Sequence, residues 1–535
     1  MSKFVIVTGG VITNLGKGAT SAGLGRLLKN RGIKVTMQKF NPYLNVDPGT
    51  MSPYQHGEVY VTADGTETDF DIGQYERFLD INLDGKSDIS GGKLFASVIN
   101  KERLGKYVGS TVTIVPHVTS EVKESILSVS SKDFDIVIVE IGGIITDEET
   151  NIYLQGVRQL ISEVGQENVF VAHIDFLPFV EATKETKIET IQTSTQKLNS
   201  LGINPDAVLC RTAKGFVLDE DTRKRISKRC FLQDEKHVVQ IPDLDTIYEI
   251  PEVLQKEGLD DLILSKFKIN VPKADLKSWD FMIENFKGDY PEIKFCIVGK
   301  YTRVPDAYIS IEEAIKHACA YNQVRPVIEF VDAEDIEEVG PDKLLKGAKA
   351  IIIPNGWGSR GFNGMVATCR YARENKIPYL GLAAFGLQAM VVEVARNLLN
   401  MTTANSVEID PNTEFPVIAV MEEQKALAMK GGTLRLGNYK CALVPESKSA
   451  KLYGKELIEE RHRHRHELNN EYSEKLEQAG LQMVGMNPET KLVEVVEIQN
   501  HPFMVGVNFH AEFNSKPYKP HPLFLGLVNT AKSIR

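Results

Sequence analysis

The stretch Gly9-Gly10-Val-Ile-Thr13-Asn14-Leu15-Gly16-Lys17-Gly18-Ala-Thr20 follows a short apolar run and precedes the helical pattern Ser21–Asn30. Glycines at such a turn let backbone N–H groups approach phosphate oxygens. The N-terminus of the following helix favours negative charge, and a lysine adds a full positive one. The spacing is one residue away from the GxxxxGK[ST] form. A glycine-rich turn can also be purely structural, so nucleotide binding is the functional reading and a plain turn the other. Lys39 closes the next apolar run, Glu140 closes Ile136-Val-Ile-Val-Glu140, and Glu67 and Asp71 lie in Glu67-Thr-Asp-Phe-Asp71. The carboxyl ends of parallel strands are where α/β sheets hold ligands. A glutamate after a run of apolar residues is costly to bury unless a cation pairs with it, and Mg²⁺ bridging phosphates is such a cation. A solvated lysine and surface ion pairs are the alternatives for Lys39 and Asp71.

These residues need strands to carry them. Lys3–Thr8, Lys34–Phe40, Asp135–Glu140, Val169–Asp175, Asp206–Arg211 and Val238–Ile241 are short, β-branched and apolar, and helical patterns separate them. That alternation predicts a doubly wound parallel sheet. A charged, irregular passage follows, and a second series begins at Lys294–Gly299, with strands at Val327–Val331, Ala348–Ile353 and Pro378–Leu382 and helices at Ile311–Tyr321 and Gly364–Asn375. The expected organisation is an α/β domain over 1–268, a linker over 269–290 and a second α/β domain over 291–535. The densest charge run, Glu459-Glu-Arg-His-Arg-His-Arg-His-Glu467, reads as a solvated helix.

Composition narrows the class. The 535 residues carry 62 Lys+Arg against 72 Asp+Glu, a formal charge of −10, which argues against a nucleic-acid-coating chain. With 42% hydrophobic and 25% charged residues the chain is of ordinary globular type. No run has the roughly 18 uncharged apolar residues of a membrane span, and the first residues show no signal-peptide pattern. Six scattered cysteines without CxxC spacing fit a reducing compartment. Cytoplasm is the expected location, with neither nucleic acid nor membrane as a partner.

The segment Lys39-Phe-Asn-Pro-Tyr-Leu-Asn-Val-Asp-Pro-Gly-Thr-Met-Ser-Pro-Tyr-Gln-His-Gly-Glu58, with Thr68-Asp-Phe-Asp-Ile-Gly-Gln-Tyr-Glu-Arg77, resembles the CTP synthase family. The likeness continues through Val115-Pro-His-Val-Thr119, Pro242-Asp-Leu-Asp-Thr-Ile-Tyr-Glu249 and Gly299-Lys-Tyr-Thr-Arg-Val-Pro-Asp-Ala-Tyr308, covering nearly the whole chain. It implies a P-loop-type amidoligase domain that uses ATP and Mg²⁺ to phosphorylate O4 of UTP. It also implies a flavodoxin-like class I glutamine amidotransferase domain that supplies ammonia from a Cys-His-Glu triad through a tunnel. A homotetramer and a GTP effector come with the resemblance. So do residue roles: Asn14, Leu15, Gly16, Lys17, Gly18, Arg211 and Asp243 for ATP, and Asp71 and Glu140 for Mg²⁺. Thr13, Lys39, Asp147, Glu149, Lys187, Gln192 and Arg225 are implied for the pyrimidine nucleotide. Lys17 and Lys39 attend the transferred phosphate.

The chain departs from that family where a nucleophile belongs. A Gly-x-Cys-x-Gly elbow is replaced by Gly381-Leu-Ala383-Ala384-Phe385-Gly386-Leu-Gln388, one residue longer between glycines. Ala384 matches the nucleophile when counted from Gln388, Ala383 when counted from Gly381, and neither can attack an amide. The oxyanion loop, Pro-Gly-Gly-Phe-Gly in the family, reads Pro354-Asn355-Gly356-Trp357-Gly358. His510 and Glu512 remain as a degenerate triad, and Gly356, Gln388, Glu408 and Arg465 resemble the family's glutamine-recognition set, with inherited packing as the other reading. The UTP-lining segment is rewritten as Lys187-Ile-Glu189-Thr-Ile-Gln192-Thr-Ser194, Asn41 stands for an aspartate, and Gly142-Gly-Ile-Ile-Thr-Asp147-Glu-Glu149 differs from the family turn. The expectation is therefore an ATP-dependent amidoligase that acts on UTP or a related nucleotide and takes ammonia or another amine. The alternatives are a non-catalytic paralogue that co-assembles with a true CTP synthase, and an enzyme that couples an intact amino acid to the nucleotide.

Overall fold

A computed structural model describes residues 2–180, 182, 185–420 and 433–534. The chain divides into two compact units: 1–47 with 71–283, and 48–70 with 284–535. Residues 48–70, inside the first expected domain by sequence, thus belong to the second unit.

The first unit is built on a seven-stranded sheet in the order Val238–Pro242, Ala207–Thr212, Val169–Phe176, Lys3–Gly9, Ile136–Ile141, Val35–Asn41 and Asp88–Ser90. All its pairings are parallel. The strands are buried along nearly their whole length, as expected when helices cover both faces of a parallel sheet. Each strand expected from the sequence is present; the short Asp88–Ser90, with its aspartate and serine, lacks the apolar signature and adds an edge. Strand Lys3–Gly9 is central, so the turn after Gly9 opens between two parallel neighbours. The passage expected as linker contains the helix Lys277–Lys287. Its Trp279 is fully buried in the first unit, tilted against Phe78 with ring centroids 5.6 Å apart and donating Nε1–H to the Tyr248 carbonyl at 2.7 Å.

The second unit has a nine-stranded sheet. Its parallel half runs Arg325–Asp332, Glu292–Gly299, Ala350–Ile353, Tyr379–Gly381 and Met504–Val507. It continues antiparallel through Val493–Ile498, Leu481–Met486, Arg435–Leu443 and Leu457–His464. The hairpin Val59–Val61/Glu67–Asp69 packs in this unit. The charge run expected as a solvated helix is instead the strand Leu457–His464 with Arg461, His462, Arg463 and His464 all buried. Its residues alternate faces, as strand residues must. Arg461 donates to Tyr60 Oη at 2.5 Å and Arg463 to Glu67 Oε1 at 2.7 Å, while His462 Nδ1 and His464 Nε2 lie 2.8 Å apart on the other face. Burial is tolerable because partners distant in sequence meet these cations.

Candidate active site

The phosphate-type turn ends at Gly16, whose φ of 75° is left-handed, and the helix Lys17–Asn30 starts directly after it. Lys17 is half-buried, and its ammonium donates to the Gly143 carbonyl at 2.8 Å. Burial pulls the Lys17 pKa down, Glu140 opposes this, Lys39 adds to it, and Asp71 and Asp147 oppose it. Those residues therefore share one electrostatic neighbourhood. Lys39 pairs with Asp71, and Tyr75 donates its hydroxyl to Glu140. Lys39 and Glu140 sit in register on adjacent strands. A Cβ on Gly18 would overlap the Asp71 carboxylate, so glycine is required there by close approach rather than by φ. Asp71 and Glu140 are buried hard-oxygen donors beside two lysines, a set that suits Mg²⁺ between phosphates. Arg211 Nη2 reaches Asp243 Oδ1 at 2.6 Å across neighbouring strand ends, so these two also meet.

The remaining nucleotide residues are not all gathered. Asp147 Oδ2 accepts the Ile144 N–H at 3.0 Å and shapes the turn after Glu140. Glu149 lies in the first turn of the helix Glu148–Val164. Lys187 pairs with Glu185, Arg225 with Asp221 at 3.2 Å, and Gln192 accepts from Arg229 at 3.0 Å; Arg225 is exposed, Lys187 and Gln192 half-buried. Thr13 is exposed in the turn, beside Asn14 with its left-handed φ of 57°. Asn41 donates to buried Asp88 at 2.7 Å, where an aspartate would set two carboxylates against each other.

In the second unit the strand Tyr379–Gly381 leads through Leu382 into two residues with positive φ, Ala383 at 38° and Ala384 at 50°, before the helix Phe385–Asn397. Side chains rarely adopt that backbone. It persists because Gly381 and Gly386 touch: a Cβ on Gly386 would come within 2.5 Å of Gly381 Cα and 2.7 Å of the Ile353 carbonyl. Ala384 is the residue immediately before the helix, so it, rather than Ala383, occupies the elbow position.

His510 Nδ1 lies 2.7 Å from Glu512 Oε1, and the His510 ring stacks on Phe513 at 4.4 Å. Its Nε2 has no hydrogen-bond partner among the described residues. The loop that should offer bare N–H groups has spent them. Gly356 N–H donates to Asn355 Oδ1 at 2.8 Å and Gly358 N–H to Glu408 Oε1 at 2.8 Å. Buried Lys300, pushed down to about 8 by desolvation, donates to the carbonyls of Trp357 and Gly358, the latter at 2.6 Å, and holds this arrangement from beneath. Gly356, Glu408, Arg465, His510 and Glu512 line one cavity of about 640 Å³. Gln388 is not on its wall; it is buried in the elbow helix, its amide atoms unpartnered among the described residues.

Residues 3–269 match the model of the CTP synthase N-terminus, and 303–530 match that of the class-I glutamine amidotransferase. The curated CTP synthase of Dehalococcoides mccartyi strain 195 is 46% identical over 535 residues, covering 100% of this chain and 98% of its own length. The chain belongs to the CTP synthase family. Its fold class, a parallel-sheet N-terminal domain followed by a class I amidotransferase-type α/β domain, is that family's. By descent it is an ATP-dependent C–N ligase. The CTP synthase of Carboxydothermus hydrogenoformans is 47% identical over 532 residues, covering 99% of both chains. A solved structure described as Trypanosoma brucei CTPS glutaminase domain with bound acivicin matches at 35% identity with a TM-score of 0.42, covering 45% of this chain and 94% of that one.

Several residues of the site were not legible beforehand. Tyr75, Lys300 and His466 were missed; Lys300 follows a strand end just as Lys39 closes one, and that parallel was the available signal. His466, whose Nδ1 lies 3.0 Å from Glu408 Oε2, gave none, because its partner is 58 positions away in sequence. Glu67, considered with the metal carboxylates, instead neutralises Arg463 in the second unit. No described helix is long and apolar enough to cross a membrane.

Proposed function

We propose that the chain phosphorylates O4 of UTP, or of a closely related pyrimidine nucleotide, with ATP and replaces the phosphate with free ammonia or another small amine, its glutaminase being silent. The observation that carries this reading is the contrast between a complete Lys17/Lys39/Asp71/Glu140 cluster and an elbow whose nucleophile position is Ala384. In the first step the O4 oxygen takes the γ-phosphoryl group, N3 of the ring loses its proton, and ADP leaves. In the second the amine nitrogen adds at C4, loses a proton, and inorganic phosphate departs with the O4 oxygen. Mg²⁺, held by Asp71 and Glu140, would neutralise phosphate charge in transit. Lys17 and Lys39 align the phosphoryl group, and Asp71, paired with Lys39 here, would be one of the carboxylates to hold the metal. Arg211 and Asp243 serve the adenine end, and Thr13, Asp147, Glu149, Lys187, Gln192 and Arg225 the acceptor nucleotide. Because the last three are at least partly exposed, a homotetramer in which subunits share acceptor sites is part of the proposal, as is binding of GTP as effector.

Loss of glutaminase is supported by more than the missing thiol. A tetrahedral intermediate needs N–H donors aimed at its oxyanion, and those of Gly356 and Gly358 are engaged by Asn355 and Glu408. His510 and Glu512 keep their mutual hydrogen bond but have no group to activate. The test is a reaction of protein, ATP, Mg²⁺ and UTP with ammonium or with glutamine, products identified by mass. CTP with ammonium and none with glutamine is expected. Glutamate release from glutamine by the purified protein overturns the reading.

A further inference from the structure

The strand Leu457–His464 carries, on the face turned away from Arg461 and Arg463, a cluster that neither the ligase reading nor the degenerate triad uses. His462 and His464 stand two positions apart and so point to the same side. His462 Nδ1 faces His464 Nε2 at 2.8 Å and Glu494 Oε2 at 3.6 Å. All three residues are buried, and one donor atom from each lies within 4.8 Å of the other two. The strand that brings Glu494, Val493–Ile498, is not a sheet neighbour of Leu457–His464, because Leu481–Met486 and Arg435–Leu443 lie between them in the strand order. Side chains rather than the backbone ladder make this contact.

Two ring nitrogens at 2.8 Å either share a single proton or face a common cation. A shared proton satisfies that pair and leaves Glu494 Oε2, which accepts no hydrogen bond among the described residues, bare. A cation meets all three lone pairs at once. The outer partners that such a site needs are in place. His464 Nδ1 lies 3.5 Å from Glu467 Oε1, a carboxylate placed to orient a ligating imidazole. Glu494 Oε1 rests on Arg435 Nη2 at 2.7 Å, which leaves Oε2 turned to the histidines. Arg435 Nη1 also holds Glu467 at 3.1 Å, so two buried carboxylates share one guanidinium. The rings of Tyr439 and Phe509, with centroids 5.3 and 5.8 Å from that of His462, pack against the cluster.

We propose that His462, His464 and Glu494 form a structural site for a divalent transition-metal ion of the zinc class, with a water molecule as the fourth ligand and with Glu467 and Arg435 positioning the protein ligands. Two imidazoles and a carboxylate suit Zn²⁺, whereas Mg²⁺ and Ca²⁺ take oxygen donors. Bonds of about 2.0–2.1 Å in a tetrahedron set donors roughly 3.3–3.4 Å apart, so the nitrogen pair opens by about half an ångström and the Glu494 oxygen closes slightly. The ion staples two strands that no sheet ladder joins. It stiffens the strand whose opposite face presents Arg461 and Arg463 to Tyr60 and Glu67. The site is independent of whether the ligase or the glutaminase is active.

Because the cluster is closed, the ion enters as the chain folds. The test is the metal content of the full chain produced in zinc-supplemented medium, passed over a chelating resin and kept in excess Mg²⁺, which fills oxygen-only sites. About one retained zinc per chain is expected, and X-ray absorption should show two imidazoles with nitrogen and oxygen at about 2.0–2.2 Å. Protein made in chelator-treated medium should melt at a lower temperature. Glu467→Gln should weaken retention by about tenfold or more, and a His464→Gln, Glu494→Gln double variant should abolish it. Zinc-free protein from the supplemented medium overturns the proposal, a shared proton then being all that joins the two rings. An absorption spectrum without two imidazoles overturns it as well, as does zinc retained in full by the folded double variant. The absorption measurement uses the unaltered protein, so it decides the matter even where a variant fails to fold.

Discussion

The phosphate turn and the elbow are both strand-to-helix turns, and the chain has treated them oppositely. At the phosphate turn the left-handed residue before the helix is Gly16, and the charged groups around Lys17 are all present. At the elbow, alanines hold φ values of 38° and 50°, and neither carries a side chain that can act as a nucleophile. The strained backbone of this turn is therefore kept with alanine at both positions. The packing of Gly381 on Gly386 fixes the turn, and any residue placed there inherits its backbone.

This contrast can be broken most forcefully at Lys17. Lys17→Met should lower ammonium-dependent turnover by roughly 10²–10³-fold, the scale of losing one preorganised electrostatic donor, while the second unit's thermal stability stays unchanged; steady-state kinetics and melting decide. Restoring the thiol is the complementary attempt. Ala384→Cys alone should give no glutaminase above background, because the N–H groups of Gly356 and Gly358 remain engaged. Combining it with Asn355→Gly, which frees Gly356 N–H, should give measurable glutamate release; activity from the single variant would show that the loop opens on its own.

Smaller effects concern stability. Gly386→Ala should destabilise the second unit by about 2–4 kcal/mol, since a Cβ there meets backbone rather than a yielding side chain. Ala384→Gly should stabilise it by about 1 kcal/mol, relief of the positive φ outweighing the added freedom of the unfolded chain. Denaturant midpoints of the two variants should move in opposite directions. The smallest effect is a shared pH dependence. Burial holds His173 of the first unit and His501 of the second at about 4 against an ordinary 6.5. Both are neutral when folded and take up protons on unfolding, so their contribution is full above 6.5 and is lost as pH falls toward about 4. Melting temperature should drop across that window, and His173→Gln should flatten part of the slope.

Much of this was written in local patterns. Parallel strands buried on both faces are runs of Val and Ile, so Ile136–Ile141 and its neighbours were legible, as were the glycine-rich turn and the absence of a thiol between Gly381 and Gly386. The strand Leu457–His464 was not. Its period of two alternates arginine with histidine, both polar, so no hydrophobic signal marks it. Its burial depends on Tyr60 and Glu67 on one face and on the neighbourhood of Glu494 on the other, whose Oε2 lies 3.6 Å from His462 Nδ1.

The sequence by itself determined the family, the two α/β domains, the lysines and carboxylates at the strand ends, and the absence of a thiol between Gly381 and Gly386, because each is a matter of which residue stands at which position. Only the tertiary structure decided that Ala384 is the elbow residue, that 48–70 pack with the second unit, and that Gly356, Gly358 and Glu408 are already bonded. The last of these concerns whether a donor or acceptor is free. That depends on partners brought close by folding, and hydrogen bonds and ion pairs between residues far apart in sequence leave no periodicity to read.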